Sequence, residues 1–140
     1  MQARINGVRV IPTEDEEQIT VIRWAEMQAG LYPELRLLHH IPNGGKRSKR
    51  EAAIFRAMGV RAGIPDLFLP CARGGYHGLY IEMKALDGKL SAAQCETIDM
   101  LRRQGYRCEV CRGADAAIAV LRQYCEEVGR CEKKDTEITR

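Results

Sequence analysis

No apolar run in this 140-residue chain approaches the about 20 residues that a bilayer-spanning helix needs. The opening stretch, Met1-Gln2-Ala3-Arg4-Ile5-Asn6, lacks an apolar core of signal-peptide length, so the expectation is an intracellular, cytoplasmic protein with no membrane partner. Internal repeats are missing, and so is any break in composition that would mark a second domain. One domain over residues 1–128 is expected, of a size that buries about two-thirds of its unfolded surface. The polar tail, residues 129–140, has little apolar content to hold it and is expected to fray. Without a secretory signal, the six cysteines (Cys71, Cys95, Cys108, Cys111, Cys125 and Cys131) read as thiols rather than disulfides. Cys108 and Cys111 have zinc or redox spacing, but they lie in an alternating stretch that reads as a strand. Positions three apart on a strand face opposite sides, and no second pair of ligands follows, so a metal or redox role is set aside.

A strong overall charge is lacking too, since the formal net charge is only +3. Its distribution is more telling. From Arg36 to Arg61 seven basic residues face one acid, Glu51, so this segment carries +6 and the rest of the chain −3. Such a block suits a polyanion held by its backbone, although a solvated helix face has the same composition.

Along the chain, Thr13-x-x-Glu16 is a capping box, and the acids Glu14, Asp15, Glu16 and Glu17 suit the positive end of a helix running to about Gln28. Val21 and Ala25 form one apolar stripe of that helix, Ile19 and Ile22 the next. Leu35 to Ile41 has strand character, and Pro42-Asn43-Gly44-Gly45 forces a tight loop. Ser48-x-x-Glu51 opens a second helix that ends at Gly59. Asn43, Gly44 and Gly45 offer backbone amides, and Lys46, Arg47, Lys49 and Arg50 add cations at a helix start, an arrangement that suits phosphate. His39 and His40 are adjacent on a strand and face apart, so they do not form a metal pair. Ser91-x-x-Gln94 caps a third helix to about Arg103, a strand follows over 106–111, and a last helix covers roughly 114–128 with Ala117, Val120, Leu121 and Tyr124 inward.

The stretch that organises the rest runs from Gly63 to Lys84. Pro65 cannot donate to a sheet ladder and marks a strand start, so Asp66 opens a strand. A glycine-rich turn, Arg73-Gly74-Gly75-Tyr76-His77-Gly78, leads into Leu79-Tyr80-Ile81-Glu82-Met83-Lys84. Alternation sends Leu79, Ile81 and Met83 to one face and Tyr80, Glu82 and Lys84 to the other. If the two strands pair as a hairpin, Asp66 approaches Glu82, and two carboxylates with water and phosphate oxygens are a usual way to hold Mg²⁺. Lys84 beside them suits a developing negative charge. The element order predicts an α/β fold with a central mixed β-sheet flanked by helices, a hairpin at its centre and a crossover helix delivering a parallel strand.

Asp66…Glu82-x-Lys84 on this topology resembles the PD-(D/E)XK nucleases and their restriction-endonuclease-like core. The finer resemblance is to the VRR-NUC family. It rests on the acidic first helix (Glu14, Glu17, Gln18, Trp24), His40-Ile41-Pro42-Asn43-Gly44-Gly45, Ala62-Gly63-Ile64-Pro65-Asp66, Ile81-Glu82-Met83-Lys84 and Leu90-Ser91…Gln94, over about residues 13 to 125. The resemblance implies Asp66 and Glu82 as Mg²⁺ or Mn²⁺ ligands, the Met83 carbonyl as a further one, and Glu17 or Glu14 as an auxiliary carboxylate. It also implies Lys84 as the residue that orients water and Gln94 as one that shapes the site. Compact members resemble phage and bacterial enzymes that act as homodimers on branched DNA such as Holliday junctions. The alternative is a structured-DNA-binding module that has lost the chemistry.

Overall fold

The computed structural model describes residues 4–5, 8–43 and 47–128. The tail 129–140, Gly44, Gly45, Lys46 and Cys131 lie outside the described residues. Strands β1 (Arg4–Ile5) and β2 (Val8–Arg9) form a small antiparallel pair. Helix α1 (Glu14–Gln28) follows, then a 3-10 helix (Pro33–Leu37), β3 (His39–His40), α2 (Lys49–Ala57), β4 (Leu67–Leu69), β5 (Leu79–Lys84), α3 (Ala92–Arg103), β6 (Arg107–Arg112) and α4 (Ala114–Glu126). The main sheet has the order β3-β4-β5-β6. Its first three strands are antiparallel, and α3 is the crossover that returns β6 parallel to β5. The fold is α/β with a mixed sheet flanked by helices.

Local chemistry explains most element boundaries. Thr13, Ser48 and Ser91 each accept a hydrogen bond from the backbone of the residue three on, whose side chain reaches back, so all three expected capping boxes are formed. Gly59 and Gly105, just beyond α2 and α3, take positive φ, the left-handed turn that ends a helix. The segment Leu35–Ile41 does not form the single strand its composition suggested. Pro33 fixes φ for a 3-10 turn, and with three residues per turn Leu35 and Leu38 fall on one side. Leu35 is buried and Leu38 packs against the core, while Leu37 is exposed. Only His39 and His40 remain to pair with β4.

The core lies between the sheet and the pair α1–α4. Leu67, Leu69, Leu79, Ile81 and Met83 project from the sheet onto Val21 and Ala25 of α1 and Ala117, Leu121 and Tyr124 of α4. Each large side chain so buried contributes about 1.5–3 kcal/mol. Tyr124 keeps its hydroxyl satisfied by donating to the Cys71 carbonyl at 2.5 Å. Of the adjacent stripe, Ile22 packs against this core and Ile19 is half exposed. Cys111 joins this core and Cys108, also buried, does not, as expected for opposite faces of β6. Helix α2 buries none of its residues, so its sequence reflects capping and charge rather than packing.

Candidate active site

Helix α3 lies on the sheet face opposite the core, over β6, and its first turn reaches β5. This explains why Glu82 and Lys84 are buried although they sit on the polar side of the strand. Gln94, at the third position of α3, donates its amide to Glu82 Oε1 at 2.7 Å. Lys84 Nζ lies 3.3 Å from the same oxygen and 3.9 Å from Glu14 Oε1. The β4–β5 hairpin brings Asp66 to the same place, where its Oδ2 accepts from the Met83 N–H at 2.8 Å. Asp66, Glu82, Lys84 and Gln94 therefore meet at one point, and Asp66 is held by the backbone between the other two strand residues.

The first helix contributes one glutamate to this point, and it is Glu14. Its Oε1 faces Lys84 and accepts from the Ala85 N–H at 3.3 Å. Glu17 turns elsewhere: its Oε2 accepts from Ala114 N at 2.7 Å and so caps α4, whose N-cap residue Gly113 offers no side chain. Of the two glutamates left open in the sequence, it is Glu14 that lies beside Lys84 and Glu17 that caps α4.

Electrostatics mark the two carboxylates as strained. Burial first, then the neighbouring Asp66 charge, push Glu82 up to about 7, against the pull of Lys84. Burial also raises Asp66, partly offset by the Met83 N–H, His40 and Lys84. Glu82 Oε2 is buried with no hydrogen-bond partner among the described residues. A buried carboxylate oxygen left this way costs roughly 1–3 kcal/mol or more, so a cation is the natural partner for it. No group of three or more His, Cys, Asp or Glu side chains converges among the described residues.

Four independent features lead to one comparison: the carboxylate pair, the buried lysine two residues on, the capping glutamine and the mixed sheet. The family model described as the VRR-NUC domain matches residues 12–115. The chain belongs to the VRR-NUC family. A solved structure called a VRR_NUC domain protein is 41% identical and superimposes with a TM-score of 0.70, covering 82% of this chain and 89% of its own. None of the curated proteins matches the chain. A VRR-NUC domain is a nuclease domain whose substrate is DNA, and the sheet seen here is the restriction-endonuclease-like fold.

The VRR-NUC frame also clarifies the residues expected to hold DNA. Arg47, Lys49 and Arg50 are exposed at the start of α2, with the Arg47 guanidinium 3.7 Å above the Phe55 ring. Asn43 turns its amide inward to the Ile64 carbonyl, tying its loop to the residue just before Pro65-Asp66. Gly44, Gly45 and Lys46 fall outside the described residues. One neighbour of the site escaped the sequence. His40 places Nδ1 2.8 Å from the Asp66 carbonyl oxygen, and its proximity lowers the Asp66 pKa. The two adjacent histidines have different partners: His39 Nδ1 lies 2.8 Å from the Leu37 carbonyl oxygen, and only His40 reaches Asp66. Only the register that pairs His40 with Leu67 brings it there. Among the described residues no helix is long and apolar enough to cross a membrane.

Proposed function

We propose that this VRR-NUC chain is a metal-dependent endonuclease that hydrolyses phosphodiester bonds in branched DNA, with Holliday junctions as the leading substrate and a homodimer as the working form. The observation that carries the chemistry is the unpartnered Glu82 Oε2 beside a second carboxylate, Asp66. Asp66 and Glu82 would hold Mg²⁺ or Mn²⁺, with the Met83 carbonyl and Glu14 at hand as further oxygen donors. Such an ion, when bound, polarises a phosphate oxygen and makes bound water more acidic.

The remaining work falls to the chain's own side chains. Lys84 is buried between two carboxylates, so its ammonium is fixed rather than swinging in solvent. It orients the attacking water and offsets charge that grows on the phosphoryl oxygens. Gln94 holds Glu82 in one rotamer, and the Met83 N–H does the same for Asp66. Arg47, Lys49 and Arg50 grip flanking phosphates, which positions DNA without reading its sequence. Two copies related by a two-fold axis would present two such sites to two strands, which suits paired nicks in a junction.

The test is cleavage of labelled four-way junction, 5′-flap and linear duplex in Mg²⁺, with Asp66→Asn alongside. Asparagine keeps an oxygen for the Met83 N–H, so the variant should fold while losing the charge. Paired nicks in the junction, absent from Asp66→Asn, with a dimer mass in sedimentation, support the whole reading. Flap cutting alone keeps the hydrolysis and removes junction resolution. Binding without cutting in Mg²⁺ or Mn²⁺ leaves a DNA-binding module.

A further inference from the structure

A cleft of about 520 Å³ opens between the 61–64 loop and α3, and the hydrolytic machinery makes no use of it. Ala62 and Ile64 form one wall and Met100 and Leu101 the other, with Arg61 and Arg103 also lining it. Both arginines are exposed, so their charges meet solvent at the cleft. The cleft has a structural cause. Gly63 sits at φ +87°, and a Cβ there would lie 2.6 Å from the Ala93 carbonyl oxygen and 2.9 Å from Thr97 Oγ1. The loop therefore touches the first half of α3 at Gly63 and stands away from the second half.

Both walls grow out of the hydrolytic site. Ile64 lies two residues before Asp66, and α3 begins with the Gln94 that holds Glu82. Seven helical residues from Gln94 to Leu101 span about 10 Å, roughly three steps of a DNA strand at about 3.4 Å each. A nucleotide matches such a cleft in kind, with apolar faces for the walls and a phosphate for the arginines.

We propose that this cleft receives an unpaired nucleobase from the DNA strand within about three nucleotides of the scissile phosphate. The assignment rests on the reading of the chain as a DNA-cutting enzyme. Withdrawing a base from a duplex costs least where it is mismatched or already unpaired. The cleft would thus favour DNA with unpaired nucleotides beside the cut, as at the branch point of a junction or flap.

The experiment uses full-length Asp66→Asn protein with Mg²⁺ and a duplex carrying one unpaired 2-aminopurine at successive positions near the branch. Met100→Gln combined with Ala62→Gln removes apolar wall at two exposed positions without changing charge. A fluorescence change at one position is expected, lost in the triple variant, with affinity for that DNA reduced about tenfold and affinity for fully paired duplex unchanged. An equal loss on both DNAs, or none on either, overturns the proposal. So does a dimer in sedimentation that the cleft substitutions turn into monomer, since a second copy would then occupy the cleft. Cleavage by the otherwise wild-type chain is scored separately. Cutting unaffected by the cleft substitutions removes the cleft and keeps the nuclease, whereas cleft-dependent binding without cutting does the reverse.

Discussion

Gln94 joins two structural tasks through one side chain. Its Oε1 accepts from Ser91 N at 2.9 Å and closes the capping box of α3, while its Nε2 donates to Glu82 Oε1 at 2.7 Å. The start of the crossover helix and the orientation of the Glu82 carboxylate are thereby one arrangement. With Oε1 occupied by Gln94 and Lys84, Glu82 has its other oxygen left for a cation.

This coupling separates stability from activity. Gln94→Glu keeps a residue able to close the capping box but sets a third carboxylate against Glu82. Its folding stability should stay within about 1 kcal/mol of wild type, while cleavage falls roughly 10–100-fold, the usual effect of losing a partner that orients a ligand. Gln94→Ala loses both tasks and should show the same fall in rate plus about 1 kcal/mol of destabilisation. Urea unfolding and single-turnover cleavage on the same samples test this. Equal rates for wild type and Gln94→Glu would show that the contact with Glu82 does not shape the site.

Stability should depend on pH through Glu82. A carboxylate whose folded pKa lies above its unfolded value holds more protons in the folded chain over the interval between them. For Glu82 that interval runs from the ordinary 4.5 to about 7. Stability contributed by its protonated form is present below 4.5 and falls as pH rises through the interval. Asp66, also raised, acts in the same direction, and Glu16, lowered by its cap contacts with Thr13, acts in the opposite one. The informative quantity is therefore the difference between wild type and Glu82→Gln. In chelator, wild type should lose melting temperature relative to Glu82→Gln between pH 5 and 7.5, and added Mg²⁺ should restore wild type alone. Parallel melting curves would mean that Glu82 ionises without strain.

The parts of this site that could be read from the sequence are those governed by local chemistry. Capping boxes are a spacing of three residues and need no knowledge of the fold, and all three form. The Asp66–Glu82 approach follows from a strand, a glycine-rich turn and a strand, so it was also accessible. What escaped depends on contacts between distant elements. Glu14 and Glu17 are both acids in the first turn of one helix, and only the packing of α1 against α4 and the end of β5 assigns them different partners. The segment at the 3-10 turn Pro33–Leu37 misled because its inward leucines, Leu35 and Leu38, fall three apart, a period neither of helix nor of strand.

The basic start of α2 should act through charge alone. Arg47, Lys49 and Arg50 are exposed, and among the described residues none forms an ion pair. Replacing all three with alanine should leave the fold intact and weaken DNA binding at low salt. The slope of log affinity against log salt should flatten by about 0.9 for each phosphate that is no longer neutralised. Fluorescence anisotropy between 50 and about 200 mM salt measures it. An unchanged slope would place the DNA on another surface.

Glu14 and Glu17 of α1 give the sharpest separation. Glu17 caps α4 through Ala114 N at 2.7 Å, where a negative charge also meets the positive end of the helix. Glu17→Gln keeps an acceptor oxygen but loses the charge, so it should cost about 0.3–1 kcal/mol of stability with little change in the rate of cleavage by folded protein. Glu14 is exposed and reaches only Lys84 and the Ala85 N–H at the site. Glu14→Gln should change stability by less than about 1 kcal/mol, because Glu14 itself stands in solvent and its contact with Lys84 is long, at 3.9 Å. Its cleavage rate should fall, and the Mg²⁺ concentration for half-maximal rate should rise about 10-fold, if Glu14 supplies an oxygen to the ion. Because the two carboxylates share one helix turn, general damage to α1 would affect both variants alike. The opposite pattern, with Glu17→Gln losing Mg²⁺ response and Glu14→Gln losing stability, would exchange their roles and require α1 to rotate when DNA binds.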